Sequence, residues 1–203
     1  MDFELPEELA EVQKLAHDFA EKEIAPGAAQ DDREHRFRKD LVGKMGELGF
    51  YGCLLPEEFG GNGLGFLAHT LISEEIARVH SAIRVYLNMQ AGPAVTLFEF
   101  GNEEQKKKYL PDLLSGQAIG LFAITEPDAG SDVAAMKTTA KRDGQHYLLN
   151  GTKSAQRHQN LDHQRHSGGY GSHLCLYRPL AETSWHIGFL RRLESAGIKP
   201  SRS

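Results

Sequence analysis

The sequence has few cysteines, no long apolar run and no excess of basic residues among its 203 residues. Its two cysteines, Cys53 and Cys175, form neither a CxxC pair nor a metal-ligand spacing, which predicts buried or incidental thiols in a reducing compartment. A formal net charge of -5 argues against a nucleic-acid binder. No apolar stretch approaches the roughly 20 residues that span a bilayer, and no signal peptide follows Met1. We therefore expect a soluble cytoplasmic protein without a membrane span.

Apolar residues recur at helical spacing through the first 118 residues. This spacing predicts five helices, at about 6 to 24, 41 to 48, 66 to 79, 86 to 100, and from 102 to before 116. The second should end at Gly49, a position that glycine favours beyond a helix. Asn102 and Gln105 form a capping-box variant at the start of the fifth, and Pro111 should kink or break it.

Two groups within this helical region resemble binding sites. Lys106 to Lys108 could bind a partner, but we favour a solvated helix face, with Glu103 and Glu104 placed to pair with it. The glycines at 60, 61, 63 and 65 could form a phosphate loop. Their spacing is not GxGxxG and no βαβ unit surrounds them, so we favour a simple turn.

After Gly116 the pattern changes towards strands, at about 119 to 124, 133 to 144 and 145 to 151. Asp143 and Gly144 are a hairpin signal. The fold class predicted is α+β, with an all-α helical domain over residues 1 to 118 that leads into a β domain.

The segment Phe122 to Asp132, FAITEPDAGSD, joins an apolar strand to a polar turn that contains glycine. Apolar side chains at the strand end suit a flat ring, while hydroxyls and the backbone amides around Gly130 can donate to the oxygens of a cofactor. An ordinary strand and turn would have the same composition. Only further matches elsewhere in the chain can therefore favour a cofactor-binding loop over an ordinary turn.

This segment resembles the flavin-binding signature of the acyl-CoA dehydrogenases. Four more segments resemble that family in its order and spacing: PEEFGGNG at 56 to 63, ISEEIAR at 72 to 78, FGNEEQKKKYLPDLLSG at 100 to 116 and YLLNGTK at 147 to 153. The resemblance implies an N-terminal α domain, a middle β domain and a C-terminal four-helix domain. In this chain we expect only the start of the β domain, over residues 119 to 153, and no C-terminal domain.

The resemblance also implies an activity, the FAD-dependent α,β-dehydrogenation of an acyl-CoA thioester. The residues that would border the flavin are Phe122, Ala123, Ile124, Thr125, Gly130 and Ser131. Ser131 would also lie near the acyl-CoA substrate. The family's glutamate base belongs to the C-terminal domain, so no catalytic residue can be named here. An electron-acceptor flavoprotein and a homo-oligomer are expected of the intact family member, whereas this fragment alone should be inactive.

Arg84 gives the one indication of substrate. The string SAIRV at 81 to 85 resembles the glutaryl-CoA dehydrogenase branch, in which an arginine here faces the distal carboxylate of a dicarboxylic acyl group. A guanidinium suits that role because it can bind a carboxylate through two hydrogen bonds and stays charged. A surface arginine on a helix explains the same residue equally well.

Residues 154 to 203 differ from the rest of the chain. They hold five of the ten histidines, and His158, His163 and His166 could ligate a metal, although a polar, partly disordered tail is favoured over that site. A shifted reading frame explains the stretch better, because another frame permits a family-like Gly-Ile-Ser-Ala-Phe string and LESAGIKP at 193 to 200 resembles the family again. A non-catalytic helical interaction module or a pseudogene product is the alternative to a flavoenzyme.

Overall fold

A computed structural model of the chain describes residues 4–122, 125–132, 135, 137, 139–143, 146–150, 174–179 and 186–189. In the strands beyond Gly120 only the backbone is described. Helices make up the first part of these residues and strands the rest, as the sequence pattern predicts.

The described residues contain six α-helices. They are α1 (Glu7–Phe19), α2 (Ala28–Glu34), α3 (Lys39–Glu47), α4 (Gly65–Val79), α5 (Ser81–Phe100) and α6 (Glu103–Leu114). A π-helical turn, Ala20–Ile24, extends α1, and a short 3₁₀ turn, Glu57–Phe59, precedes α4.

The helix predictions are confirmed at most positions. Gly49 follows α3 with φ +72°. The capping box at the start of α6 is also formed. The Asn102 side chain accepts from the Gln105 N–H at 2.8 Å, and Gln105 Oε1 accepts from the Asn102 N–H at 2.9 Å. The remaining differences concern α2, α5 and α6.

One helix, α2, was not predicted, and another, α5, begins earlier than predicted. Helix α2 was not predicted, because its sequence AAQDDRE has no apolar stripe and its one buried residue is Asp31. Helix α5 begins at Ser81 and not near residue 86. Its first turn shows little apolar periodicity, although Ile83 is buried there.

Helix α6 runs through Pro111 without the break that the sequence suggested. Proline removes the hydrogen bond that the carbonyl of Lys107 would otherwise accept. Lys107 is exposed and α6 ends three residues after Pro111, so the helix loses one bond near its end. The last turn is still closed, since the Ser115 N–H donates to the Pro111 carbonyl at 3.0 Å.

One hydrophobic core joins the helices, with α1 packed on α4, and α5 packed on both α4 and α6. Its largest fully buried side chains include Tyr51, Phe50, Ile24, Leu41, Met45 and Leu55. Leu15 of α1 and Leu67 of α4 are apolar residues at helical spacing but are 44% and 50% exposed. Each is one residue before a fully buried alanine, Ala16 or Ala68, and one residue turns a helix by about 100°.

The lysine run is packed as well as paired. Lys106 Nζ lies 3.1 Å from a carboxylate oxygen of Glu103, as predicted, but it also lies 5.4 Å and 5.1 Å from the ring centres of Phe59 and Phe98. Its side chain is only 16% exposed, so the prediction of a solvated face is wrong for this residue. Cation–π contact and burial of the lysine stem explain the difference.

Five strands follow the helices. They are β1 (Ala118–Phe122), β2 (Thr139–Asp143), β3 (His146–Asn150), β4 (Leu174–Pro179) and β5 (His186–Phe189). The first, fourth and fifth form an antiparallel sheet in the order β1-β4-β5, and β2 pairs with β3. Pairing of Asp143 with His146 confirms the hairpin, and the start of β1 confirms the change from helix to strand near residue 118.

Strands β4 and β5 lie in residues 154 to 203, where no strand periodicity was recognised. Strand β4 pairs with β1, so that Ala118 faces Pro179 and Phe122 faces Cys175, and β5 pairs with β4. The rest of residues 154 to 203 is outside the described residues, so the aberrant tail stays a prediction. Among the described helices, none combines the length and apolar character needed to cross a membrane.

Candidate functional site

Residues 125–132, which we call the signature loop, follow β1 and contain three of the predicted site residues. Thr125 is half-buried, whereas Gly130 and Ser131 are exposed. Phe122 is described only as strand backbone, and Ala123 and Ile124 lie outside the described residues. The part of the predicted site that is described therefore consists of one turn with an accessible outer surface.

The signature loop is closed by a short two-way backbone bridge. The Glu126 N–H donates to the Ala129 carbonyl at 3.0 Å, and the Ala129 N–H donates back to the Glu126 carbonyl at 3.2 Å. Pro127 and Asp128 form the exposed tip between them. A Cβ built on Gly130 would meet no atom within 4 Å. The described chain leaves open space at Gly130, where another molecule can approach the backbone.

Glu126 is a site residue that the sequence reasoning missed. Its residue surface is 6% exposed, and its Oε2 accepts a hydrogen bond of 2.7 Å from the N–H of Lys137. Lys137 also pairs through Nζ with Asp128 at 2.9 Å, on the exposed side. The acidic residue before Pro127 was visible in the sequence, but its burial depends on a contact 11 residues away.

A cavity of about 350 Å³ lies between α5, the segment from Asp31 to Val42 and the start of β1. Its apolar wall includes Phe37, Ile83, Val85, Met89 and Ile119. Its polar groups come from Asp31, Asp32, Arg36, His80, Tyr86 and Gln90. No sequence pattern predicts this cavity, since its walls come from three separate parts of the chain.

The polar wall is organised around Asp31, whose side chain is 2% exposed. Arg38 Nη1 donates to Asp31 Oδ2 at 2.9 Å and Arg36 Nη1 lies 3.7 Å from Oδ1, which has no hydrogen-bond partner among the described residues. Hydrogen bonding to Asp40, together with the bond to Asp31, raises the pKa of Arg38. Burial raises the pKa of Tyr86 to about 12, so its phenol stays neutral beside this carboxylate.

Arg84, the predicted substrate residue, lies in the first turns of α5 and is half-buried. Its neighbours Ile83 and Val85 line the cavity, whereas Arg84 does not. Within the described part of the chain no ion pair involves its guanidinium, so the charge is available to a ligand. Arg84 therefore lies on α5 next to residues that line the cavity but is not itself part of the lining.

Among the described residues, the cysteine and histidine side chains form no metal site. Cys53 is a buried free thiol as expected, and burial raises its pKa to about 11. The described ranges contain no group of three residues that could hold a metal ion. His158, His163 and His166 lie outside them.

Two family models match the chain. The acyl-CoA dehydrogenase N-terminal domain matches residues 6–117, and the acyl-CoA dehydrogenase middle domain matches residues 121–159. The first match corresponds to the helical region and the second begins within β1. The second match ends close to Lys153, where the sequence resemblance was expected to end.

Individual proteins agree with these matches. The chain is 51% identical over 158 residues to a glutaryl-CoA dehydrogenase of Desulfococcus multivorans, which covers 76% of this chain and 41% of the relative. A solved glutaryl-coenzyme A dehydrogenase glutaryl-CoA complex has a TM-score of 0.72 at 49% identity, covering 75% of this chain and 40% of that one. An acyl-CoA dehydrogenase complexed with FAD from Bacillus anthracis has a TM-score of 0.68 at 36% identity, covering 74% and 26%. The chain thus spans less than half the length of these proteins.

Proposed function

The chain belongs to the acyl-CoA dehydrogenase family, and we propose that its residues serve the FAD-dependent α,β-dehydrogenation of an acyl-CoA thioester. The observation that carries the proposal is the signature loop, an accessible turn placed after β1 in the region that matches the family's middle domain. The relatives named above support FAD as the cofactor. A cytoplasmic location and a flavoprotein electron acceptor complete the proposal.

The described part of the loop fits a flavin. Open space at Gly130 lets a flat ring or a phosphate approach the backbone, and the exposed Ser131 and half-buried Thr125 supply hydroxyl donors. By resemblance Phe122, Ala123 and Ile124 would add apolar cover. When bound, FAD supplies the redox step by accepting the β-hydrogen as hydride.

The chain's own residues contribute binding and orientation. Donors on Thr125 and Ser131 would fix the ring's polar edge, and Ser131 would also hold the acyl-CoA. The Glu126 contact with Lys137 would keep the turn in one geometry while these bonds form. The base that removes the α-proton belongs, by resemblance, to a C-terminal domain outside the two matched regions, and no residue here is assigned that role.

Glutaryl-CoA is the substrate we propose, with Arg84 holding the distal carboxylate. Both the glutaryl-CoA dehydrogenase relative and the similar solved complex support this substrate. An arginine that is half-buried and has no ion pair in the described chain suits a ligand carboxylate. In active protein, Arg84→Ala should lower kcat/KM for glutaryl-CoA by about 30-fold or more and spare monocarboxylic acyl-CoA. Equal effects on both substrates would reject the carboxylate role.

Flavin binding by the 203-residue chain tests the cofactor assignment. We expect weak but saturable quenching of FAD fluorescence, and no acyl-CoA turnover with an artificial electron acceptor. Gly130→Val should weaken the binding, because the side chain fills the open space at the turn. Gly43→Val is the matched control, since a Cβ there also meets nothing within 4 Å but lies on α3. Absence of saturable binding would favour a non-catalytic interaction module, and turnover by the 203-residue chain would contradict the assignment of the base to a region outside the two matched segments.

A further inference from the structure

Gln90 connects three elements through one buried side chain. It lies in α5 and is 1% exposed. Its Nε2 donates to the carbonyl oxygens of Leu113, at 2.9 Å, and Ala118, at 2.6 Å. Its Oε1 accepts from the N–H of Gly120 at 2.8 Å. Because two partners are acceptors and one is a donor, the amide orientation is fixed, and the side chain joins α5 to α6 and β1.

Towards β1, the Gln90 amide takes the place of a strand residue. Ala118 and Gly120 are two residues apart, so their peptide groups point to the same edge of β1. The amide donates to the carbonyl of one and accepts from the N–H of the other, as a residue of a parallel neighbouring strand does. Strand β1 is at the edge of its described sheet, so this contact satisfies edge groups that burial would otherwise leave unpaired.

Gly120 allows β1 to approach α5 closely enough for this bond. A Cβ at Gly120 would lie 2.8 Å from Pro93 Cβ and 3.0 Å from the Met89 carbonyl oxygen. Because the proline ring is rigid and cannot move aside as a flexible side chain would, glycine is required by the packing. The position of β1 on the helix is therefore set by Gln90 and Gly120 together.

From Gly120 the chain leads directly to the signature loop. Strand β1 ends at Phe122, two residues after Gly120, and the signature loop begins at Thr125, so a rotation of β1 at Gly120 displaces the start of the loop. We propose that Gln90 is a positioning residue that fixes the signature loop relative to α5, the helix that carries Arg84. This inference rests on the proposed function, because it concerns the separation of the flavin turn from the substrate helix.

Gln90→Glu tests the role by removing donors while keeping size. An ionised glutamate can accept from Gly120 but has no hydrogen for the carbonyls of Leu113 and Ala118. Burial among carbonyls should raise the pKa of the new carboxyl, and its protonated form restores one donated bond. Nuclear magnetic resonance of the 203-residue chain at pH 7.5 and pH 5 follows the amides of β1 and the loop.

We expect the amide signals of the signature loop to shift at pH 7.5 and to return towards their native positions at pH 5. In Gln90→Met, which offers the Gly120 N–H no acceptor, exchange of the Gly120 amide should be about tenfold or more faster than native at pH 7.5. Gln105→Glu is the matched control, since the side chain of this buried glutamine accepts a bond from the Asn102 N–H and donates none to the described residues, and a glutamate can accept the same bond. The control should leave the loop signals unchanged.

Shifts confined to α5 and α6, with native loop signals at both pH values, would overturn the positioning role. A loop change that acid does not reverse in a folded protein would also overturn it, because a loss of packing alone has no such pH dependence. If Gln90→Glu does not fold, Gln90→Met keeps the length without hydrogen bonds and should displace the same loop signals. These measurements use no flavin, so failure of FAD binding would reject the proposed function without rejecting this contact.

Discussion

Replacing Glu126 by alanine should loosen the signature loop without unfolding the helical domain. The Glu126 carboxylate is buried and its Oε2 accepts from the backbone N–H of Lys137 at 2.7 Å. Hydrogen bonds to a charged partner contribute about 1.5 to 3 kcal/mol. Since about 1.4 kcal/mol is a factor of ten, local opening should become about 10- to 100-fold more frequent.

Amide hydrogen exchange at Lys137 measures this opening directly. Glu126→Ala should speed its exchange by that factor, while the Lys106 amide, bonded to the Asn102 carbonyl at 2.9 Å in α6, should keep its native rate. Glu126→Gln keeps an acceptor oxygen and loses only the charge, so its effect should be a few-fold. FAD binding should weaken in the same order, because the turn that presents Gly130 and Ser131 is no longer held.

Asp128→Ala is the control within the same turn. Asp128 pairs with Lys137 Nζ at 2.9 Å, but both side chains are at least 70% exposed, so solvent screens the pair and the Lys137 amide should be unaffected. The reasoning is wrong if Glu126→Ala leaves exchange at Lys137 within twofold of native. It is also wrong if the Asp128 variant speeds exchange equally.

Three further predictions concern other parts of the chain. Gly116→Ala should lower the free energy of unfolding, measured with urea, by more than about 3 kcal/mol. Gly116 has φ +72°, and a Cβ added there would lie 2.4 Å from the Val42 carbonyl oxygen. A loss under about 1 kcal/mol would contradict this. Burial lowers the pKa of His69 in the folded state, so the free energy of unfolding should decrease as the pH falls below the unfolded pKa of roughly 6.5. In His69→Leu the free energy of unfolding, measured with urea, should change less between pH 7.5 and 5.5. Nucleotide sequencing should show a shifted frame between codons 153 and 192; stop codons there, or no Gly-Ile-Ser-Ala-Phe at residues 185 to 190, would reject it.

The sequence by itself determined the features that depend on local spacing. Apolar residues three to four positions apart identify the face of a helix, so α1 with its π-helical extension, α3 and α4 were predicted close to their observed bounds. The capping box at Asn102 and the hairpin at Asp143 involve partners within a few residues, and both are formed. The signature loop was recognised in the same way, since its identity lies in consecutive residues.

Only the tertiary structure decided which polar side chains are buried. Gln90 meets partners 23, 28 and 30 positions away in the sequence, and Glu126 meets one 11 positions away. A glutamine or glutamate at such positions reads as an exposed polar residue until another element covers it. The same holds for Asp31 in the unpredicted α2, whose burial depends on Arg38 and on the wall of the cavity. Local periodicity fixes where helices and strands form, whereas burial of a polar group depends on contacts that exist only once those elements have packed.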